Sequence, residues 1–340
     1  MFHRRIFILA ATALAGSVCL PAWAETGILR VLVHSSFSLP KPLLAQFEAE
    51  SGVKLSIIKA GDAGEMLNKL ILTRAQPIAD VVFGLDNALV AKAQAAKVLE
   101  PLQYTQGSAT AQVGVNVVPV DYGYVNLNFD KAAFAKSGLA LPKSLEDLAQ
   151  PAYRNLLVVP NPATSSPGYA FLLATIAGMG EEKAFDWWAR MRGNGMKTVK
   201  GWTEAYYTEF SRNGGTRPLV VSYASSPAAE VFFSKEKMTE SPTGNLFLKG
   251  GVFRQVEGLA LVAGGGQREA ANKFIRFMRS GGVQEALQTT MWMDPIEAHT
   301  PLADVMKHAA EPNAFDSLPA ETIADKGSTW VARWTQVVLK

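Results

Sequence analysis

The sequence predicts an α/β protein built of two lobes, each a mainly parallel sheet flanked by helices. Apolar runs rich in β-branched residues alternate with amphipathic helical patterns from one end of the 340-residue chain to the other. A chain of this length exceeds what one compact core usually holds. The alternation favours parallel sheets covered by helices, and the length favours two of them.

The first block of the chain is predicted to form three strand–helix units. Strands are predicted at residues 28–34, 53–59 and 80–84, and helices at residues 40–51, 65–74 and 88–96. In parallel sheets, ligands bind beyond the carboxyl ends of the strands. The polar segments at these ends are therefore candidate ligand-binding loops: His34-Ser35-Ser36, Gly61-Asp62-Ala63 and Gly84-Leu85-Asp86-Asn87.

The second block begins near Asp121. Strands are predicted at residues 156–159, 219–223 and 250–263, and helices at residues 169–178, 181–192, 269–279 and 330–338. We expect the chain to cross between the lobes near residues 118–124 and again near residues 253–258. This predicts lobe 1 as residues 25–120 plus 254–340 and lobe 2 as residues 121–253, with C-terminal helices that pack across both.

Residues 1–24 have the pattern of a signal peptide. Arg4 and Arg5 precede an apolar stretch at residues 6–20, and Ala22-Trp23-Ala24 supplies the small residues of a cleavage site. We expect cleavage after Ala24 and a periplasmic protein. Lipidation of Cys19 is the alternative, and Val18 fits poorly the small residue expected before a lipidated cysteine.

Removal of Arg4 and Arg5 lowers the formal charge from +3 to +1, because residues 1–24 contain no acidic residue. Near-neutral, well-mixed charge argues against nucleic acid as a partner. His34, His299 and His308 lack metal-ligand spacing, and neither a Gly-x-Ser-x-Gly elbow nor a phosphate-binding lysine loop is present. We therefore expect no enzyme, no metal site and no cofactor.

Several motifs combine carboxylates with aromatic rings. Asp86 either faces a cationic ligand or caps the helix that starts at Ala88, and residues 163–168 form either an anion cradle or a well-capped helix start. Trp202, Tyr223 and Trp292 each follow a turn or end a strand. Each is a core anchor or a stacking face, and together with carboxylates they suit a flat, positively charged ring.

The motifs resemble those of the periplasmic thiamine-binding proteins of ABC importers. The segments that carry the resemblance are Ala79–Asn87, Asp121–Tyr124, Thr164–Gly168, Lys200–Tyr206, Ser222–Tyr223 with Ser226–Ala228, and Trp292–Pro295. These proteins belong to a two-lobed group that also holds iron(III) and polyamine binders. The resemblance implies the type II periplasmic-binding-protein fold, a monomer, and thiamine or thiamine phosphate as ligand.

The resemblance also implies roles for individual residues. Asp62 with its neighbour Ala63, and Ser165 with Ser166, would hold the hydroxyethyl or phosphate end of the ligand. Trp202 and Tyr223 would line the same region from the second lobe, and Trp292 would form an aromatic wall for the ring system. On chemical grounds alone, Asp86 and Glu257 are added as partners for the aminopyrimidine or for the thiazolium charge.

Two positions depart from the family pattern. His34 and Ala229 stand where the family has tyrosines that belong to the aromatic lining of the thiamine pocket. Loss of a stacking face costs on the order of 0.5–1.5 kcal/mol. The departures either weaken thiamine binding or mark a shifted specificity, with His34 then contacting the ligand itself.

The predicted function is capture of thiamine by hinged lobe closure and delivery to the membrane permease of an ABC importer. A different cargo is the main alternative: iron(III), a polyamine or a phosphorylated small molecule. The Tyr206-Tyr207 pair resembles the paired tyrosines of iron(III) binders but follows Trp202 on a helix. A thiamine-degrading enzyme is the remote alternative, since that chemistry uses a cysteine that the mature chain lacks.

Overall fold

Strands and helices alternate along the chain in the order that the sequence predicts. The structure, a computed structural model, describes residues 27–102 and 109–340, so the predicted signal peptide lies outside the described residues. The strands are β1 (Ile28–Val33), β2 (Lys54–Lys59), β3 (Val81–Asp86), β4 (Val118–Asp130), β5 (Leu157–Pro160), β6 (Lys197–Val199), β7 (Leu219–Tyr223), β8 (Thr243–Leu246), β9 (Phe253–Leu261) and β10 (Asp294–Pro295). The helices are α1 (Lys41–Ser51), α2 (Ala63–Leu72), α3 (Val90–Ala95), α4 (Lys131–Ser137), α5 (Leu145–Leu148), α6 (Ser166–Met179), α7 (Glu181–Gly193), α8 (Trp202–Glu204), α9 (Ser226–Phe232), α10 (Arg268–Met278), α11 (Gly281–Thr290) and α12 (Ala320–Leu339).

Three parallel strands, β2-β1-β3, form the first parallel end of the sheet. Val31 of β1 lies opposite Ile57 on one side and Val81 on the other. Every residue of β3 is buried, as expected for a strand covered on both faces. The helices α1 and α2 connect these strands in sequence order. The α/β class predicted from the strand–helix alternation is confirmed.

The strands β4 and β9 run antiparallel to each other in the middle of the sheet. The strand order is β2-β1-β3-β9-β4-β7-β5-β6, and β8 and β10 also pair with β4. Beyond β4, the strands β7-β5-β6 form a second parallel end. Both middle strands contain the segments where the sequence predicts crossovers between lobes. The sheet is therefore continuous, with two parallel ends joined by an antiparallel middle.

The C-terminal helix α12 contacts helices from both ends of the sheet. It packs against α3, which follows the first parallel end, and against α7, which belongs to the second. Trp334 of α12 lies edge-on to Trp188 of α7 with the ring centroids 5.7 Å apart. None of the helices in the described ranges has the length and apolar character needed to cross a membrane.

Several predicted boundaries differ from those observed, and three of the differences are informative. Helix α6 begins at Ser166 instead of residue 169, because Ser165 caps it and Pro167 fits its first turn. Strand β3 continues beyond Gly84 to Asp86, so Asp86 lies at the end of a strand and not in a loop. The last helix starts at Ala320, ten residues before the apolar pattern that predicted it.

Candidate ligand-binding site

A cavity lies where loops from the two parallel ends of the sheet meet. It contains about 690 Å³ of space free of protein atoms, part of it open to solvent. The predicted residues that line it are His34, Asp62, Ala63, Ser166, Trp202, Tyr223, Glu257 and Trp292. Loops that follow strands supply many of these side chains, as expected for a ligand site in an open α/β sheet.

Asp62 joins the loops after β2, β5 and β6. It caps α2, since its Oδ1 accepts a hydrogen bond of 2.8 Å from the backbone amide of Ala63. Its Oδ2 accepts from Ser165 Oγ at 2.7 Å and from the Trp202 amide at 3.0 Å. Charge-assisted bonds of this kind are the strong ones. Protein donors therefore reach both oxygens of this carboxylate.

Ser165 lies behind the cavity. Its side chain is fully buried, and its Oγ both donates to Asp62 and caps α6 by accepting from the Gly168 amide. Ser165, predicted to bind the ligand, therefore does not line the cavity, because its bonds to Asp62 and to the Gly168 amide turn the hydroxyl inward. Ser166, one residue further along, lines the cavity at the start of α6.

The first turn of α2, residues 62–65, contacts the second parallel end directly; we call it the α2 turn. The Glu65 amide donates to the Thr164 carbonyl at 3.0 Å, and Lys200 Nζ lies 2.9 Å from the Glu65 carboxylate. A Cβ at Gly64 would lie 2.8 Å from the Thr164 carbonyl carbon. Glycine is thus required for this close approach of two backbones.

Trp202 heads an aromatic wall on one side of the cavity. Its ring stacks on Tyr206 with centroids 5.2 Å apart and lies edge-on to Tyr207 and Tyr223. The indole Nε1 donates to Ser222 Oγ at 2.8 Å, which fixes the ring. Offset and edge-on rings of this kind stabilise each other. The wall presents a broad, rigid aromatic surface to the cavity.

Trp292 forms a separate aromatic wall. Its backbone φ of +60° lies in the left-handed region, which is uncommon for a bulky residue. Ser225 Oγ donates to its carbonyl oxygen at 2.5 Å, and its ring packs edge-on to Phe232 and Phe233. These contacts hold the strained residue in place, with its side chain against the cavity.

His34 and Glu257 lie together on the floor of the cavity. His34 Nε2 is 3.5 Å from Glu257 Oε2, while Glu257 Oε1 accepts from Gln255 Nε2 at 2.6 Å. Gln255 in turn accepts from the Tyr223 hydroxyl at 3.3 Å. Burial alone would lower the pKa of His34, but the adjacent Glu257 carboxylate outweighs burial and the pKa is raised.

Asp86 lies behind the cavity floor and does not line the cavity. It is fully buried, and its Oδ1 accepts from the amides of Ala88 and Leu89 at 2.9 and 2.8 Å. Of the two predicted roles, the one internal to the protein is nearer to what is observed: the strand end directs the side chain inward, where it bonds the turn that leads into α3, although α3 itself begins at Val90 without a side-chain cap. Burial, with the nearby Glu257 carboxylate, raises the pKa of Asp86 to about 7.

A further carboxyl group, Asp121 of β4, lies opposite Glu257 of β9 in the sheet. It is fully buried, and burial followed by the charges of Glu257 and Asp294 raises its pKa well above the usual range. Asp62 and Glu257 line the cavity itself, and the described residues that line it include no lysine or arginine. Carboxylates and aromatic faces together favour a flat cationic ligand.

Some lining residues were not among the predicted ligand-binding residues: Ser36, Tyr206, Tyr207, Ser225, Ser226, Ala229, Met291 and Met293. Most lie within a few residues of a predicted one, so neighbourhood in the chain was the available signal. The Tyr206 hydroxyl donates to Glu230 at 2.9 Å and its ring backs Trp202. Tyr206 therefore supports the aromatic wall, as its position beside Trp202 could have suggested.

The comparisons with known proteins agree on one family. The family model described as bacterial extracellular solute-binding protein matches residues 76–323. The thiamine-binding periplasmic protein of Salmonella typhimurium is 30% identical over 329 residues, which cover 94% of this chain and 95% of the relative. The resemblance recognised from the motifs is confirmed.

Solved structures agree with this assignment. A structure titled periplasmic thiamin binding protein has a TM-score of 0.82 and 27% identity, covering 94% of this chain and 99% of its own. The ferric binding protein from Campylobacter jejuni, at 19% identity, a TM-score of 0.72 and coverage of 91% and 99%, shares the fold alone. The fold is that of the type II periplasmic binding proteins, and the chain belongs to the family of bacterial extracellular solute-binding proteins.

Proposed function

We propose that this protein binds thiamine in the periplasm and delivers it to the membrane permease of an ABC importer. One observation carries the proposal: the cavity combines aromatic walls at Trp202 and Trp292 with the carboxylates of Asp62 and Glu257. Thiamine presents two aromatic rings, one of them cationic, so stacking and charge both favour it. The names of the relatives support the same ligand.

In the proposed binding mode, the hydroxyethyl end lies near Asp62, the Ala63 backbone and Ser166, with Ser165 positioning Asp62 from behind. Trp202 and Tyr223 contact the rings from one side and Trp292 from the other. Glu257 and His34 face the aminopyrimidine. Phosphorylated thiamine would place its negative charge beside Asp62, so we expect thiamine to bind more tightly than its phosphates.

We further propose that capture involves closure of lobe 1, residues 25–120 plus 254–340, on lobe 2, residues 121–253. The strands β4 and β9 would form the hinge. Closure brings the α2 turn against Thr164, Ser165 and Trp202, the contacts seen in the structure. A ligand shifts this equilibrium only through contacts that improve in the closed form.

The direct test is tryptophan fluorescence and calorimetry of the ligand-stripped protein, produced from Glu25 onward as a monomer. Thiamine, thiamine monophosphate, a polyamine and iron(III) are titrated separately. We expect saturable binding of thiamine at micromolar or lower concentration, weakened about 100-fold by Trp202→Ala. Saturation by iron(III) or a polyamine alone, in folded protein, would contradict the proposal.

The proposed export has its own measurement. The full-length chain is expressed in a Gram-negative host, and the protein recovered from the periplasm is sequenced from its N-terminus. We expect the mature chain to begin at Glu25. Recovery in the membrane fraction with a lipid on Cys19 would instead support the lipoprotein alternative.

A further inference from the structure

His34 and Glu257 leave two polar atoms unsatisfied at the cavity floor. Their side chains are buried, with relative exposures of 9% for His34 and 5% for Glu257. The ion pair spans 3.5 Å, which is longer than a well-formed hydrogen bond. Within the described part of the chain, His34 Nε2 and Glu257 Oε2 have no hydrogen-bond partner. Buried polar atoms without partners are rare and costly, so such atoms beside a cavity indicate a ligand.

The protein holds Glu257 in one orientation. Its Oε1 accepts from Gln255 Nε2 at 2.6 Å, and Gln255 Oε1 accepts from the Tyr223 hydroxyl at 3.3 Å. This chain of side chains satisfies Oε1, while Oε2 lies 3.5 Å from His34 Nε2 and is free of hydrogen bonds among the described residues. Because Glu257 lines the cavity, the free oxygen is available to a donor on the ligand.

The imidazole of His34 is equally fixed. Its ring packs on Phe83 with centroids 5.8 Å apart. Gly84 has a φ of +98°, and a Cβ there would lie 2.4 Å from His34 Cδ2. The backbone of β3 therefore makes room for this ring, and the ring keeps its nitrogen directed at Glu257. A preorganised site of this kind selects ligands by hydrogen-bond pattern.

We propose that Glu257, positioned by His34, is a specificity-determining residue that selects a ligand with an amino group on its ring over the same ring with a carbonyl. An amino group donates a hydrogen to the free Oε2. A carbonyl oxygen would face the carboxylate with no hydrogen between two acceptors. This inference rests on the proposed function, in which the amino group is that of the aminopyrimidine.

The test compares the dissociation constants of thiamine and of oxythiamine, its 4-oxo analogue, by calorimetry. We expect the wild-type protein to prefer thiamine by at least about 100-fold, since sites that read an N–H group reject analogues that lack it. In Glu257→Gln, the amide can face either group, so the preference is expected to fall below about tenfold. Glu146→Gln, which alters an exposed surface carboxylate paired with Arg190, is the matched control and should keep the wild-type preference.

The outcomes separate the two proposals. Equal affinity of the wild type for both compounds overturns the specificity role while thiamine binding stands. Full discrimination in Glu257→Gln overturns it too. Absence of binding to either compound by folded wild-type protein overturns both proposals. Equal affinity of the wild type overturns the role even if Glu257→Gln is unstable. His34→Gln gives a second measurement, with an expected preference between those of wild type and Glu257→Gln.

Discussion

The two carboxylates that line the cavity are used in opposite ways. Asp62 has both oxygens occupied by protein donors from Ala63, Ser165 and Trp202. Glu257 has one oxygen held by Gln255 and the other free of hydrogen bonds within the described residues. A carboxylate that lines a cavity can therefore either bond to the protein itself or remain available to a ligand. Which role it takes depends on how many donors already reach it.

The largest expected effect is on the pH dependence of stability, and it arises from Asp86, a buried carboxyl group behind Glu257. Asp86 has a folded-state pKa of about 7 against an ordinary value of 3.8. The unfolded chain therefore releases this proton at lower pH than the folded chain, so the free energy of unfolding falls as pH rises from about 4 to 7. For a buried group the loss is at most about 4 kcal/mol.

Asp86→Asn removes this pH dependence and keeps an oxygen that can accept from the amides of Ala88 and Leu89. We expect urea unfolding at pH 4.5 and pH 8 to show a smaller difference in the variant than in the wild type. Titration of His34 acts in the same direction in both proteins, because its raised pKa also gives stability that is lost as pH rises. An unchanged difference between the two pH values would show that Asp86 does not contribute.

The second prediction compares the two carboxylates by truncation. Glu257→Ala should weaken thiamine binding about 100-fold, because it removes a charged acceptor of the ligand. Asp62→Ala should weaken binding about tenfold, through the lost contacts to Ser165 and Trp202, and should lower stability by about 1 kcal/mol through the lost cap. Calorimetry and urea unfolding measure both. Equal losses of affinity in the two variants would contradict the different roles assigned to Asp62 and Glu257.

The third prediction addresses the α2 turn without touching a carboxylate. In Gly64→Ala the new methyl group would meet the Thr164 backbone, so the two parallel ends cannot approach as closely. We expect affinity for thiamine to fall about tenfold, while helix propensity raises ligand-free stability by about 0.5–1 kcal/mol.

The matched control for Gly64→Ala is Gly193→Ala in α7, where an added Cβ would meet no atom within 4 Å. This variant should leave affinity unchanged. Small-angle scattering with saturating thiamine should give a larger radius of gyration for Gly64→Ala than for the control. Equal radii and equal affinities would mean that the α2 turn is not part of closure.

The smallest effect is expected far from both carboxylates. Glu182 on α7 pairs with Arg333 on α12, and both are exposed enough for water to screen the pair. Glu182→Gln should change the melting temperature by less than about 2 °C and leave thiamine affinity unaltered. A change in affinity would show that α12 is coupled to the cavity.

The sequence was sufficient to predict the fold because periodicity is a property of neighbouring residues. It also predicted Asp62, Trp202 and Glu257 as ligand-binding residues, and all three line the cavity. It could not tell that Asp86 and Ser165 face inward, because their bonds to backbone amides depend on where the chain turns. It also could not single out Met291, whose apolar side chain reads equally as core or as lining.

The α2 turn has a consequence for how such proteins change their cargo over evolution. Its contacts run to Thr164, Ser165 and Trp202, whereas His34 and Ala229 line the cavity without taking part in them. Substitution at these two positions can retune selectivity while the contacts of the α2 turn persist. A permease that recognises the surface of the closed protein would then accept a new nutrient without any compensating change of its own.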